Sequence, residues 1–591
     1  MRKEILFKKG IITALTVAMV TSLAPVIGAG GLKTITAKAE GTESHNYNSQ
    51  GFCTECDAYQ SAVLTTDKYD IDDDNSKDDV YEIGNAGQLF WFAGLVNGTL
   101  DGVKQNKLAN AVLTANITVN ENLLDSLQYD TEGNVSNGSD FITWTPIADW
   151  MGNRTTQYSG TFDGNNKTVS GLYFNGDSTC IGLFGSSESD GNIKNVGVVD
   201  SYFKGNDHVG GVCGNNAGTI TNCYNAGNLT AIESSATVGG ICGYNNGGTV
   251  TNCYNTGTVT ATGSVASVGG VCGCSIAPIS NCYNIGTVTA TSSSADISGI
   301  CGYYFGPIKN CYYLADTEDE NGGKTTAQFA SGEIAYLLSQ GCSTGEGDAT
   351  VTYDGSIWGQ TIGTDTYPLL HGEKVYKNIT YLGCNDLSDV VSVAYSNEDK
   401  TTYGDHDYVD GVCRYCDEEA LASVTSGEII TYYPSLQDAI DYAENIPDSV
   451  VAVIADTDNS NFYVNNPDSD FTIDINGNNV GSIVANNGKI SIIDSKTNGE
   501  IWGGLTVNSD SIVTLGDVKI LDLTKVYGQL ILNGGDLAYV YLYENNAKVF
   551  FNNSDIKINN CIYWHDEYFE GVIINAEPHN IIPIIPNWSR L

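Results

Sequence analysis

Val238–Ala261 reads VGGICGYNNGGTVTNCYNTGTVTA, with two cysteines and no charged residue. The same pattern occurs four times in succession. The copies open at Val209-Gly210-Gly211, Val238-Gly239-Gly240, Val268-Gly269-Gly270 and Ile297-Ser298-Gly299, and the asparagine of each NCY recurs at Asn222, Asn252, Asn281 and Asn310. The period is 29 or 30 residues. A degenerate copy, IGLFGSSESDGNIKNVGVVDS, precedes them, with Gly182 and Asn195 in the equivalent places. Each copy holds three short strand-like runs separated by glycine and asparagine. One such unit cannot bury its apolar side chains alone, but stacked copies can. The pattern predicts an all-β chain, a right-handed parallel β-helix or solenoid, with valine or isoleucine, asparagine and tyrosine in vertical columns. Solenoid ends expose unpaired strand edges and need covers.

The cysteines pair by position as Cys213/Cys223, Cys242/Cys253, Cys272/Cys282 and Cys301/Cys311. In the degenerate copy both are replaced together, by Phe184 and Val196. This joint occurrence predicts disulfides within each coil. A ten-residue loop closed in this way is worth roughly 2–3 kcal/mol in the chain-entropy model. Two other readings stay open: free thiols buried as small hydrophobes, and catalytic or metal-binding cysteines. From Gly205 to Ile308 there is no lysine or arginine, the only histidine is His208, and the only carboxylates are Asp207, Glu233 and Asp296. A uronate-cleaving lyase needs cations, and a glycoside hydrolase needs paired carboxylates. The shaft offers neither, so no catalytic residue is expected in it.

A second module repeats the plan of the first. The first begins with HNYNSQGFCTEC, then the acidic run DIDDDNSKDD, then a short helix over NAGQLFWFAGLVNG capped by Asn85 with Gln88 three residues on. The second begins with HDYVDGVCRYC, then a helix over PSLQDAIDYAEN capped by Ser435 with Asp438 three residues on. Phe162–Asn166 and Ile475–Asn479 share an x-G-N-N element. Between the modules, TTAQFASGEIAYLLSQG predicts one more helix and IWGQTIGTDTYPLLHGEKVYKNITYLG an end cap with a small β unit. The resulting division is a signal peptide at 1–39, a His/Cys segment and acidic linker at 40–75, a β-helix at 76–316, a closing unit at 317–400, a second His/Cys segment at 401–424 and a second β-helix-like module at 425–591.

The repeat resembles the GLUG motif, usually G-G-L-V-G…G-x-I-x-N-C-Y, of large secreted and cell-surface bacterial proteins, some of them adhesins. FASGEIAYLL…WGQTIGTDTYPLLHGEKVY resembles the segment that closes such arrays in gut anaerobes. The second module resembles pectate-lyase-like β-helices of similar surface proteins. The resemblance implies a surface role and carries no shared catalytic residues. Cysteine in GGVCG departs from the apolar residue usual in the motif.

Other features bear on chemistry. His45, Cys53 and Cys56, and again His406, Cys413 and Cys416, each supply three zinc-type ligands, with Asp57 or Asp417 as a fourth. A clasp or a reducible C-x-x-C are the alternatives. Asp70, Asp72 and Asp74 nearly match a calcium loop, but Asn75 stands for the usual glycine and Glu82 comes one position late. Tyr224, Tyr254, Tyr283 and Tyr312 predict an aromatic column that could bind sugar or protein if exposed. In the second module Asp474, Asp494, Asp517, Asp522 and Asp536 are scattered over separate coils. Cys180, Cys274, Cys342, Cys384 and Cys561 have no evident partners.

The formal net charge of −43 over 591 residues disfavours nucleic acid and anionic membranes. A basic start, an apolar core and Ala37-Lys38-Ala39 read as a secretory signal. No later stretch is long and apolar enough to span a bilayer. The sequence therefore predicts a secreted, non-catalytic surface protein that binds a host or matrix protein or glycan. A carbohydrate-active β-helix enzyme and an envelope spacer are the alternatives.

Overall fold

The computed structural model describes residues 45–72, 74–149, 156–344, 351–353, 355–543, 547–553, 556–563, 572–574 and 581–583. The signal-peptide reading at 1–39 lies outside them, as does the side chain of Cys561. Two compact units are formed. One comprises Met1–Lys377 with Tyr395–Asp399, the other Asn378–Ala394 with Lys400–Leu591. The second unit takes in the segment around Cys384. No helix among the described residues is long and apolar enough to cross a membrane.

The first unit is a stack of parallel coils. Cys213–Asn216 pairs in parallel with Cys242–Asn245, that strand with Cys272–Ser275, and that one with Cys301–Tyr304. Val209–Gly210, Thr237–Gly239, Ser267–Gly269 and Asp296–Ser298 form a second ladder. Thr219–Thr221, Thr249–Thr251, Ile279–Ser280 and Ile308–Lys309 run within a third. The 29- or 30-residue period returns each strand to the same place in its coil, so equivalent residues stack. The degenerate copy is the coil beneath, with Phe184 opposite Cys213. Thr221 pairs with Lys194 and Tyr224 with Gly197, which leaves Val196 opposite Cys223.

The NCY asparagine is explained by backbone shape. Asn195, Asn222, Asn252, Asn281 and Asn310 all have φ between 51° and 57°, the left-handed region that asparagine tolerates and β-branched residues avoid. Each turns the chain at one corner of its coil. Their amides also link coils: Asn222 Nδ2 donates to Asn195 Oδ1 at 2.9 Å and Asn310 Nδ2 to Asn281 Oδ1 at 2.8 Å. The next asparagine along is fully buried. Asn225 Nδ2 donates to Asn255 Oδ1, and Asn255 Nδ2 to Asn284 Oδ1, both at 2.8 Å. Gly240 is required where coils touch, since a Cβ there would lie 2.2 Å from the Gly270 carbonyl oxygen.

Helix Ala86–Asn97 is capped as the sequence predicts, with Asn85 Oδ1 accepting from the Gln88 amide. It is buried nearly all round. Phe92 packs on Phe162 and Phe90 edge-on to Trp144, with ring centroids 6.1 and 5.0 Å apart. After the shaft, the expected single helix is two, Thr326–Ala330 and Glu333–Ser339. Gly332, at φ 91°, breaks it between them. Trp358–Gly359 then pairs antiparallel with Leu369–Leu370.

The second unit is built the same way with shorter coils. Asp470 pairs with Lys489 and Lys489 with Ile512, steps of 19 and 23 residues. Its core is a run of Ile, Val and Leu from Ala422 to Ile558. Helix Leu436–Ala443 starts at Ser435, whose Oγ accepts from the Asp438 amide, and buries Leu436, Ala439, Ile440 and Ala443. Both units are therefore parallel β-solenoids with a short helix near the start.

Candidate metal centre

The two His/Cys segments fold alike. In the first, Tyr47 bridges Cys53 across a turn at Gly51. The Cys53 amide donates to Ala58 O, Thr54 to Asn46 O and Gln60 to Gly51 O. In the second, Tyr408–Val409 pairs with Val412–Cys413 across a turn at Asp410-Gly411. The Cys413 amide donates to Glu418 O, Arg414 to Asp407 O and Ala420 to Gly411 O. Each hairpin thus brings its histidine beside the two cysteines. The first also seats Phe52 and Tyr59 on Phe90 of the capping helix, 5.5 and 5.3 Å between centroids.

The two clusters differ in ligand number. In the first, His45 Nδ1 lies 3.7 Å from Cys53 Sγ and 3.3 Å from Cys56 Sγ, and the sulfurs are 3.0 Å apart. Among the described residues these three stand together without a fourth. In the second, Cys384 joins His406, Cys413 and Cys416, and all four ligand atoms lie within 4.8 Å of one another. Cys384 Sγ is 3.6 Å from Cys413 Sγ, and Cys416 Sγ is 3.5 Å from His406 Nδ1. Neither Asp57 nor Asp417 takes the fourth place. Asp417 sits at φ 60° and its amide donates to Cys413 O, so it carries the turn.

The thiols are tuned in opposite directions. Burial opposes ionisation of Cys413, but donors from the Tyr415 and Cys416 backbone, and from His406, bring it down to about 6. The thiol of Cys56 beside Cys53 brings the latter down to about 7. Burial pushes Cys384 up to about 12.

The shaft cysteines behave otherwise. All sixteen described cysteines are free thiols, so the disulfides expected within coils at Cys213/Cys223, Cys242/Cys253, Cys272/Cys282 and Cys301/Cys311 are not formed in the structure. Register aligns them along the stack, as two columns of four. Cys223, Cys253 and Cys282 donate to the carbonyl two residues before, at 3.2, 3.1 and 3.1 Å. Burial raises Cys213, Cys253, Cys272, Cys282 and Cys311 well above the ordinary thiol range. They pack as small hydrophobes in the thiol form.

The tyrosine column forms but is not an exposed surface. Tyr224, Tyr254 and Tyr283 stack with centroids 4.8 and 5.0 Å apart and planes within 5°. Tyr283 is fully buried, Tyr254 is 8% exposed, and Tyr224 and Tyr312 are half-buried. Phe329 and Trp358 of the closing segment lie against Tyr283 at 5.7 and 5.5 Å, and Tyr283 Oη donates to Pro368 O at 2.6 Å. An apolar column needs cover, and the closing segment supplies it.

At the calcium-like loop Asp70, Asp72 and Asp78 gather, not Asp74. Glu82 is held instead by Lys68 at 2.6 Å and Tyr69 at 2.8 Å. Asp474 and Asp494 serve turns: Asp474 accepts from the Asn476 and Ser495 amides, Asp494 from Gly477 and Gly499. Asp207, His208 and Thr237 also meet, but carboxylate and hydroxyl both face His208 Nδ1, at 2.9 and 2.8 Å. A proton relay needs them on opposite ring nitrogens.

The residues of one coil, 234–260, match a family model described as the GLUG motif. Halomucin of Haloquadratum walsbyi is 32% identical over 89 residues, covering 15% of this chain and 1% of halomucin. The chain thus spans about a hundredth of that relative. A solved structure from Bacteroides ovatus, provisionally assigned as an immunoglobulin A1 protease, aligns over 49% of this chain and 92% of its own, with 17% identity and a TM-score of 0.34. The GLUG match falls on the coil that contains Cys242, Cys253 and Tyr254.

Proposed function

We propose that the chain is a secreted, non-catalytic solenoid that displays a binding surface for a host or matrix glycan or protein. The GLUG coil and the local likeness to halomucin support an extracellular setting. In the first shaft, many polar side chains are spent on inter-coil ladders, and the acids Asp474 and Asp494 of the second are spent on turns. One observation carries the binding role. On the last coil, Tyr303, Tyr304 and Phe305 are 46%, 57% and 73% exposed, where the coil beneath has Cys274 and Ser275 opposite the tyrosines. Exposed rings of this kind offer flat apolar area with a polar edge, suited to sugar faces or protein anchors.

The test pairs a glycan and matrix-protein array with a panel of neutral and acidic polysaccharides. Wild-type chain is expected to bind, and replacing Tyr303, Tyr304 and Phe305 by serine to weaken binding by about 30-fold, the scale of one interface hot spot. Oligosaccharide release from any polysaccharide would overturn the non-catalytic reading in favour of a β-helix enzyme.

A further inference from the structure

We propose that Cys384, His406, Cys413 and Cys416 hold one zinc ion in a closed tetrahedral site that ties residues 378–394 to the second hairpin. Zinc–sulfur bonds near 2.3 Å and zinc–nitrogen bonds near 2.1 Å put two tetrahedral sulfurs about 3.8 Å apart, and sulfur and nitrogen about 3.6 Å apart. The observed separations are 3.6 Å for Cys384–Cys413 and 3.5 Å for Cys416–His406. A disulfide would need about 2.05 Å, so the sulfurs are spaced for a shared ion and not for a bond.

Three thiolates and one imidazole make a soft donor set that selects zinc over calcium or magnesium. His406 presents Nδ1 to Cys416 Sγ, and Glu418 Oε2 stands beside the cluster, 3.9 Å from His406 Nε2 and 4.0 Å from Cys416 Sγ. His406, Cys413 and Cys416 come from one hairpin, whereas Cys384 stands 22 positions before His406. The ion therefore closes a long loop inside one unit, as structural sites do. The His45 cluster, with three ligands among the described residues, lacks this closure.

The test uses the full chain, reduced and stripped of metal, then titrated with zinc before a brief pulse of alkylating reagent. Peptide mapping reads each cysteine separately. Zinc is expected to protect Cys384, Cys413 and Cys416 together, at one concentration. Cys384→Ser should weaken zinc protection of Cys413 and Cys416 by more than about 100-fold, beyond the 10–100-fold cost of losing an outer-shell partner. Asp417→Asn should leave it unchanged. Zinc that protects Cys413 and Cys416 while Cys384 reacts as in the metal-free chain would overturn the site. So would the absence of protection at all three in the wild-type chain, a result independent of whether any variant folds.

Discussion

Tyr283→Ala is expected to destabilise the first unit by about 3–5 kcal/mol, the range for removing a large buried aromatic. The ring is fully buried, stacked on Tyr254 and pressed by Phe329 and Trp358. Its removal opens a cavity between the shaft and its cover. Solenoid units are coupled mainly to their neighbours, so the loss should be local. Hydrogen exchange should accelerate through Thr326–Ala330, Glu333–Ser339 and Trp358–Gly359, while the coils nearer Phe184 keep their protection. Tyr283→Phe keeps the stacking and leaves Pro368 O without its donor, at roughly 1–3 kcal/mol. Equal exchange in Tyr283→Ala and wild type would mean that the closing segment does not rest on the column.

Asn255→Leu should be at least as damaging, for the opposite reason. Leucine adds apolar volume, yet Asn255 is fully buried and its side chain makes four hydrogen bonds. It donates to Gly257 O and Asn284 Oδ1, and accepts from the Gly257 amide and Asn225 Nδ2. Each partner left buried and unpaired costs roughly 1–3 kcal/mol, so a loss on the order of 4 kcal/mol or more is expected. Urea unfolding of the Asn255→Leu chain, followed by protease resistance of the shaft, reads it directly. A shaft as resistant as wild type would show that the ladder is incidental to stability.

The repeat was readable because a column is written in the sequence at fixed spacing. Asn222, Asn252, Asn281 and Asn310 mark the corners, and Phe184 marks the degenerate coil. Caps were readable too, since Asn85 and Ser435 act on amides three residues away. What depends on distant segments was not. Nothing local to Tyr254 or Tyr283 says that Phe329 and Trp358 will cover them. Nothing local to Cys384, in YLGCNDLSD, links it to a histidine 22 positions on, and only chain topology joins them. The stretch TTAQFASGEIAYLLSQG predicts one helix, but Gly332 adopts φ 91° and splits it.

The shaft cysteines offer the sharpest test of the coil stack itself. Joint loss of Cys213 and Cys223 equivalents in one copy suggested a bond within each coil, yet joint loss also follows if both are core positions refilled by Phe184 and Val196. The deciding measurement is the intact mass of the chain alkylated in denaturant, with and without prior reduction. Columns of free thiols predict that Cys213, Cys223, Cys242, Cys253, Cys272, Cys282, Cys301 and Cys311 are all alkylated without reductant. If those eight take up label only after reduction, coils closed by disulfides replace the columns described above.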